Sequence, residues 1–277
     1  MVDNLKHEDQ IKRNIECVLE LVEQFYRDHQ EIKASHGISH VMAVYHHAIK
    51  AIQCHKHPTG VTLISSMEIQ IATLLHDVDD EKYFPKPSIP YQNARNILSS
   101  PSLKLSQESI DNIIYMIQLV SCSSNGNSVP DEIIKKESYH LLIPRWSDRL
   151  EAVGRIGVVR CYQYNRENDR PLYSELSPKA TTQEQVWEYA NPQRFIEYQS
   201  SGGRKSVNGG EDMISHYYDK LLHVSLPPRD IVRNSYLEEM AASSSQVLVE
   251  VCIRFGKTGF VDEDFIHDIA KEIGIKI

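Results

Sequence analysis

The chain has 277 residues, 41% of them hydrophobic and 25% charged, with a formal net charge of −8. Enough apolar side chains are present to build a core, which excludes a disordered chain, and 12 Gly and 12 Pro exclude a collagen-like or low-complexity one. The acidic balance argues against a broad surface for a nucleic-acid polymer, which needs clustered positive charge, yet it is compatible with a local pocket for a small phosphorylated molecule.

The elements follow in chain order. Ile11, Ile15, Val18, Leu19, Val22, Phe25 and Tyr26 recur at three- and four-residue steps, which predicts an amphipathic helix. A second helix is expected from about Ser39 to Cys54, with Val41, Val44, Ala48 and Ile52 on one stripe. Met67 to His76 is a third, apolar on nearly every side and so expected to be buried. Ser106 to Val120, Asp148 to Tyr164, Met213 to Val224, Arg229 to Phe255 and Asp262 to Ile273 complete the set. Alternating strand patterns are missing, so the fold class is all-α.

Loops separate these helices. Pro85, Pro87 and Pro90 exclude regular helix over Lys82 to Tyr91, and CSSNGNSVP at Cys122 to Pro130 is rich in turn formers. Asn165 to Asp212 reads as a long irregular insertion, a lid or partly disordered, with Gly202, Gly203, Gly209 and Gly210 near its end. Neither repeat nor linker divides the chain, so one domain over 1–277 is expected. Five cysteines without a CxxC pair suggest a reducing compartment. The charged opening MVDNLKHEDQ is unlike a secretory leader, and no apolar run reaches about 18 residues, so a cytoplasmic protein is expected.

The 13 histidines direct attention to chemistry. LLHDVDD sets His76 and Asp77 side by side after the buried helix, and SHGISH sets His36 and His40 four apart. Asp148 stands at the start of a later helix. Imidazole nitrogens and carboxylate oxygens are the ligands of Zn, Mn, Mg and Fe, and two of each from three helices would hold one ion with positions open to water or substrate. His–Asp neighbours also arise by chance, and His267–Asp268 is read here as surface charge. The first pair differs in following an apolar helix, where unpartnered polar groups are costly.

His40, His76–Asp77 and Asp148 together resemble the HD-domain metal-dependent phosphohydrolases. HxxxHxxxV at His36 to Val44 is similar to that family's first motif. HDVDDEK resembles the HDxxDxK signature of its YedJ/YpgQ-type branch, DRLEAVGRIGVVR its DRLDAIGAIGIAR, and ISHYYDKLL its HFYEKLL. The likeness runs from about Ser35 to Phe255. It implies an HD-type helical bundle, with a motif core over about 35–160, the insertion over about 165–212 and terminal helices over 213–277. By the resemblance His40, His76, Asp77 and Asp148 are the metal ligands. Asp80 orients or deprotonates water, Lys82 holds a phosphate oxygen, and His36 acts on substrate or leaving group. Arg149, His216 and Lys220 are the candidates for binding substrate, against the plain readings of a helix-fixing ion pair for Arg149 and surface positions for the other two.

The implied reaction is hydrolysis of a nucleoside or deoxynucleoside triphosphate to monophosphate and pyrophosphate with one divalent ion. Manganese is the first expectation, with Mg, Zn, Fe, Co or Ni as the others. A 5′-monophosphatase, a cyclic-nucleotide phosphodiesterase and a non-catalytic metal-binding sensor are the alternatives. Pairing into a homodimer is left open. The pattern also departs from the branch: Gly37 replaces an Asp, Trp146–Ser147 an Asp–Ala, Val120 to Ser123 lacks the His of HSFS, Glu151 replaces an Asp and Arg155 a small residue. The ligand set is intact, so these changes bear on substrate and not on metal. Tyr173, Trp187, Tyr189, Arg194, Tyr198, Arg204 and Lys205 in the insertion suit a nucleotide's base and phosphates, or an ordinary packed insertion equally well. His46, His47, His55 and His57 are read as structural.

Overall fold

The computed structural model describes residues 2–33, 36–54, 61–84, 88–201 and 211–277, and among them no strand occurs. The all-α expectation holds. The predicted positions of His55, His57, Pro85, Pro87, Arg204, Lys205 and the four insertion glycines lie outside the described residues. No helix is long and apolar enough to cross a membrane among the described residues. Contacts divide the chain into two units. The first comprises 1–121, 130–148 and 233–236; the second comprises 122–129, 149–232 and 237–277.

In the first unit α1 (Val2–Asp28), α2 (Ile38–Cys54) and α5 (Gln107–Val120) pack against α3 (Leu63–Leu75). The apolar sequence of α3 explains its place: Met67, Ile69, Ile71, Ala72, Leu74 and Leu75 are all buried. It starts four residues before the expected Met67, because the Thr62 hydroxyl caps it by accepting from the Ser65 backbone N–H. Ser106 caps α5 in the same way, accepting from Ser109. α4 (Gln92–Leu98) was not expected. Its first turn is fixed by Asp79, whose two carboxylate oxygens accept from the N–H groups of Asn93 and Ala94, each at 2.9 Å. α7 (Asp131–Lys136) and a 3₁₀ turn (Tyr139–Leu142) lead into α8 (Ile143–Glu151), and the unit boundary falls within α8, after Asp148.

The expected helix over 148–164 is two helices. α8 stops at Glu151, Val153 is extended, and Gly154 at φ +69° opens α9 (Gly154–Glu167). That left-handed backbone favours glycine and breaks the run. The expected helix over 229–255 also divides, into α14 (Arg229–Val232) and α15 (Ser235–Thr258), with Arg233 at φ +54° between them.

The second unit closes around Val158, Phe195, Tyr217, Leu222, Leu248 and Phe255, from α9, the 192–200 and 213–225 helices and α15. It also holds α6 (Cys122–Asn125) and α16 (Glu263–Glu272), which packs on α9. The stretch expected to be irregular carries two helices, α10 (Gln183–Tyr189) and α11 (Pro192–Ser200). Thr182 and Asn191 cap them, and Pro192 occupies the first turn of α11, where its missing N–H costs nothing. The segment from Met213 to Ser225 is one helical run of α12 (Met213–His216), a π-helical turn (Tyr217–Leu221) and α13 (Leu222–Ser225). Buried Asp212 caps it and also accepts from the hydroxyls of Ser174 and Ser177.

Candidate metal centre

The first unit brings four predicted residues to one point. His40 comes from the first turn of α2, His76 caps the C-terminus of α3, Asp77 follows it, and Asp148 lies on α8. The ligand atoms of His40, His76 and Asp148 all lie within 4.8 Å of one another. The two Nε2 atoms are 3.3 Å apart. Asp148 Oδ1 is 3.3 Å from His40 Nε2 and 3.6 Å from His76 Nε2, while Asp77 Oδ2 is 3.5 and 3.6 Å from the same atoms. Two ligands each about 2.1 Å from an ion stand about 3.0 Å apart at a right angle and about 3.4 Å apart at the tetrahedral angle. The separations suit a shared ion, and the cluster could hold a divalent metal.

The ligand atoms are prepared by their surroundings. His76 Nδ1 is 2.8 Å from the Thr73 carbonyl, so Nδ1–H donates there and Nε2 is turned towards the cluster. Burial lowers the His76 pKa, but Asp77, Asp148 and the Thr73 carbonyl outweigh it and raise the imidazole to about 9. Burial would raise Asp148, yet hydrogen bonds from His40 and His76 hold it well below the usual carboxylate range. The side chains of His40 and His76 are 5% and 0% exposed, against 19% for Asp77 and 27% for Asp148. Solvent reaches the cluster past the carboxylates.

The candidates for acid–base and phosphate chemistry form a second group in the same unit. Lys82 Nζ is 2.9 Å from His36 Nε2 and 3.5 Å from Asp80 Oδ2, and His36 Nε2 is 3.9 Å from that oxygen. The His36 ring lies 6.4 Å from that of His40, centroid to centroid. The Lys82 N–H donates to Asp80 Oδ1 at 2.9 Å, a local turn that holds the carboxylate in place.

The substrate candidates all lie in the second unit. Arg149 is buried, with its guanidinium donating to the Asn127 side-chain oxygen and the Gly126 carbonyl, so it fastens the 122–129 loop. His216 packs edge-on to Tyr198 at 5.7 Å, and Lys220 Nζ lies 5.9 Å from the centre of the same ring. Three insertion residues read as suited to a nucleotide have internal partners: Tyr198 is buried, Tyr173 packs on Phe255, and Arg194 pairs with Asp219 at 2.6 Å. His267 is exposed as expected, and His47 sits 2.7 Å from the Tyr236 hydroxyl.

Sequence reasoning missed Thr73 and Asp79. Thr73 acts through its carbonyl, which no residue type announces. Asp79 was legible only as one of three carboxylates in HDVDD.

No family model matches the chain. An uncharacterized protein of Acanthamoeba polyphaga mimivirus, L803, is 37% identical over 244 residues, covering 84% of this chain and 93% of that protein. The chain belongs to the family of L803. Solved structures add its fold. An HD-superfamily hydrolase from Bacillus thuringiensis superposes with a TM-score of 0.54 at 18% identity, over 96% of this chain and 100% of that one. A structure from Lactobacillus plantarum gives 0.59 at 19% identity, over 88% and 95%. This chain has the fold of that HD-superfamily hydrolase. At that identity the likeness speaks for architecture, and the chemistry rests on the residues above.

Proposed function

We propose that this protein is a metal-dependent phosphohydrolase that cuts a nucleoside or deoxynucleoside triphosphate to monophosphate and pyrophosphate, with manganese as the preferred ion. The observation that carries the reading is the meeting of His40, His76 and Asp148 within 4.8 Å of one another, with Asp77 against both imidazoles and a lysine, a histidine and a third carboxylate beside them. His40, His76, Asp77 and Asp148 hold the ion. When bound, a divalent ion lowers the pKa of water from about 15.7 towards about 7 and polarises a phosphoryl oxygen. Asp80 orients the attacking water and takes its proton. Lys82 carries its charge on a side chain 57% exposed, free to reach a phosphoryl oxygen and offset charge in the transition state. His36, bonded to Lys82, steers the ammonium and donates towards the leaving group. The choice of a triphosphate rests on the HDxxDxK signature at His76 to Lys82.

The test is turnover by metal-stripped protein reloaded with Mn, Mg, Co, Ni, Zn or Fe, against nucleoside tri-, di- and monophosphates and cyclic nucleotides. Monophosphate plus pyrophosphate, lost in Asp77→Ala, is the expected result. Inorganic phosphate as the sole phosphorus product besides a nucleoside would move the assignment to a monophosphatase. Silence across the panel with stoichiometric metal bound would refute catalysis on nucleotides.

A further inference from the structure

Lys82, His36 and Asp80 meet beside the metal cluster in the arrangement of a cation on its ligands. Lys82 Nζ lies 2.9 Å from His36 Nε2 and 3.5 Å from Asp80 Oδ2. An ammonium has three donors and no acceptor, so Lys82 donates and His36 Nε2 accepts. The imidazole therefore turns an unprotonated nitrogen towards the positive charge, in the form that a metal ion would take. Asp80 supplies the other half. Its Oδ1 accepts from the Lys82 backbone N–H, and its Oδ2 faces Nζ.

The two ligand atoms are close enough to share an ion. His36 Nε2 and Asp80 Oδ2 stand 3.9 Å apart. Two ligands each about 2.1 Å from one ion can span up to about 4.2 Å. Contacts other than the ammonium hold both groups. The His36 ring packs edge-on to that of Tyr83 at 5.9 Å and to that of His40 at 6.4 Å. The Asp80 carbonyl accepts from the N–H groups of Tyr83 and Phe84, both at 3.0 Å, which fixes the turn that carries the carboxylate.

Charge decides what fills the place. The carboxylates among these residues are Asp77, Asp148 and Asp80. A divalent ion on the first cluster and one ammonium on Asp80 neutralise all three. A second divalent ion in place of the ammonium would leave one positive charge in excess. We infer that His36 and Asp80 form a second cation site, and that Lys82 fills it with its ammonium in place of an ion. A two-ion centre takes both of its cations from solution. Here the chain carries the second on a side chain. The inference rests on the metal centre proposed above and not on the choice of substrate.

Lys82→Met removes the charge and adds no ligand of the kind manganese prefers. The side chain is 57% exposed, so the exchange should leave the fold intact, and Lys82→Gln repeats the test with a polar side chain. Lys82→Arg keeps the charge. Half of a four-ligand zinc site leaves a Kd of roughly 1 μM to 0.2 mM, and manganese binds more weakly, so crystals are soaked in about 10 mM manganese. Anomalous diffraction then locates the ions. The wild type and Lys82→Arg should show manganese at His40, His76, Asp77 and Asp148, with none between His36 and Asp80. Lys82→Met and Lys82→Gln should show a second ion within about 2.5 Å of both His36 Nε2 and Asp80 Oδ2. His36→Ala added to Lys82→Met should abolish it. An ion between His36 and Asp80 in the wild type, or none there in both uncharged variants, would overturn the inference. A wild type without manganese at the first cluster would refute the metal centre separately, and the uncharged variants would still decide whether His36 and Asp80 bind a cation.

Discussion

Asp148→Asn tests the metal centre at the ligand that α8 supplies. The exchange keeps volume and one oxygen but removes the charge that faces both imidazoles, at 3.3 and 3.6 Å. The side chain is 27% exposed, so the change should leave folding intact, as far-ultraviolet circular dichroism will report. A four-ligand zinc site is worth about 10–16 kcal/mol, or about 2.5–4 kcal/mol per ligand, and the loss of one therefore weakens affinity by about two to three orders of magnitude. At a metal concentration 100 times the wild-type Kd, binding stabilises the folded chain by about 2.7 kcal/mol. At about 2–4 °C per kcal/mol for a chain of this size, its Tm should rise by about 5–10 °C. With affinity 100-fold weaker, the same metal gives the variant about 0.4 kcal/mol, or about 1 °C. Differential scanning calorimetry with and without manganese measures both, and a chelator competition gives the affinities. A variant that keeps the wild-type thermal shift would refute the assignment of Asp148 as a ligand.

Three further predictions concern the second unit. Arg194 and Asp219 form a pair of side chains 14% and 4% exposed, with Arg194 Nη2 2.6 Å from Asp219 Oδ1. Removing one buried partner costs about 3–5 kcal/mol, so Asp219→Leu should destabilise by that amount; Arg194→Met with Asp219→Leu should recover most of it, as urea denaturation will show. A Cβ on Gly256 would stand 1.9 Å from the Ala180 carbonyl oxygen, a backbone atom that cannot swing away, so Gly256→Ala should cost about 1–3 kcal/mol by the same assay. His223 has its pKa lowered, by burial first and then by Arg194, so the unfolded chain takes up a proton more readily below about pH 6.5. Its contribution is intact above that pH and is lost as pH falls towards the lower folded-state value; His223→Gln should lose less stability between pH 7.5 and 5 than the wild type does.

Much of this was legible before any coordinates. The 3.6-residue pattern located α2, α3 and α5, because each buries one stripe or, for α3, nearly its whole surface. His40, His76, Asp77 and Asp148 could be named because their motifs and order in the chain resemble those of the HD-domain phosphohydrolases. What escaped notice was set by single backbone torsions and by short capping signals. Gly154 and Arg233 interrupt helices whose apolar spacing continues through the break. Thr182 and Asn191–Pro192 are ordinary helix starts, overlooked beside the glycines of the same stretch. The partners of Arg149 lie more than 20 residues away in the chain, on Gly126 and Asn127, beyond the reach of any local pattern.

Asp79 bears on how metal enters and leaves. Its carboxylate clamps the start of α4, and the Asn93 side chain donates back to the Val78 carbonyl, so the backbone just after the ligand pair is tied down without any ion. His76 is tied on the other side, through Thr73. A loop fastened at both ends loses its freedom during folding and has little left to lose at loading. Capture of an ion by the proposed centre would then require no rearrangement of this loop. Exchange of one metal for another should run at the pace of ligand departure, which lets the composition of the surrounding metal pool select the ion in use.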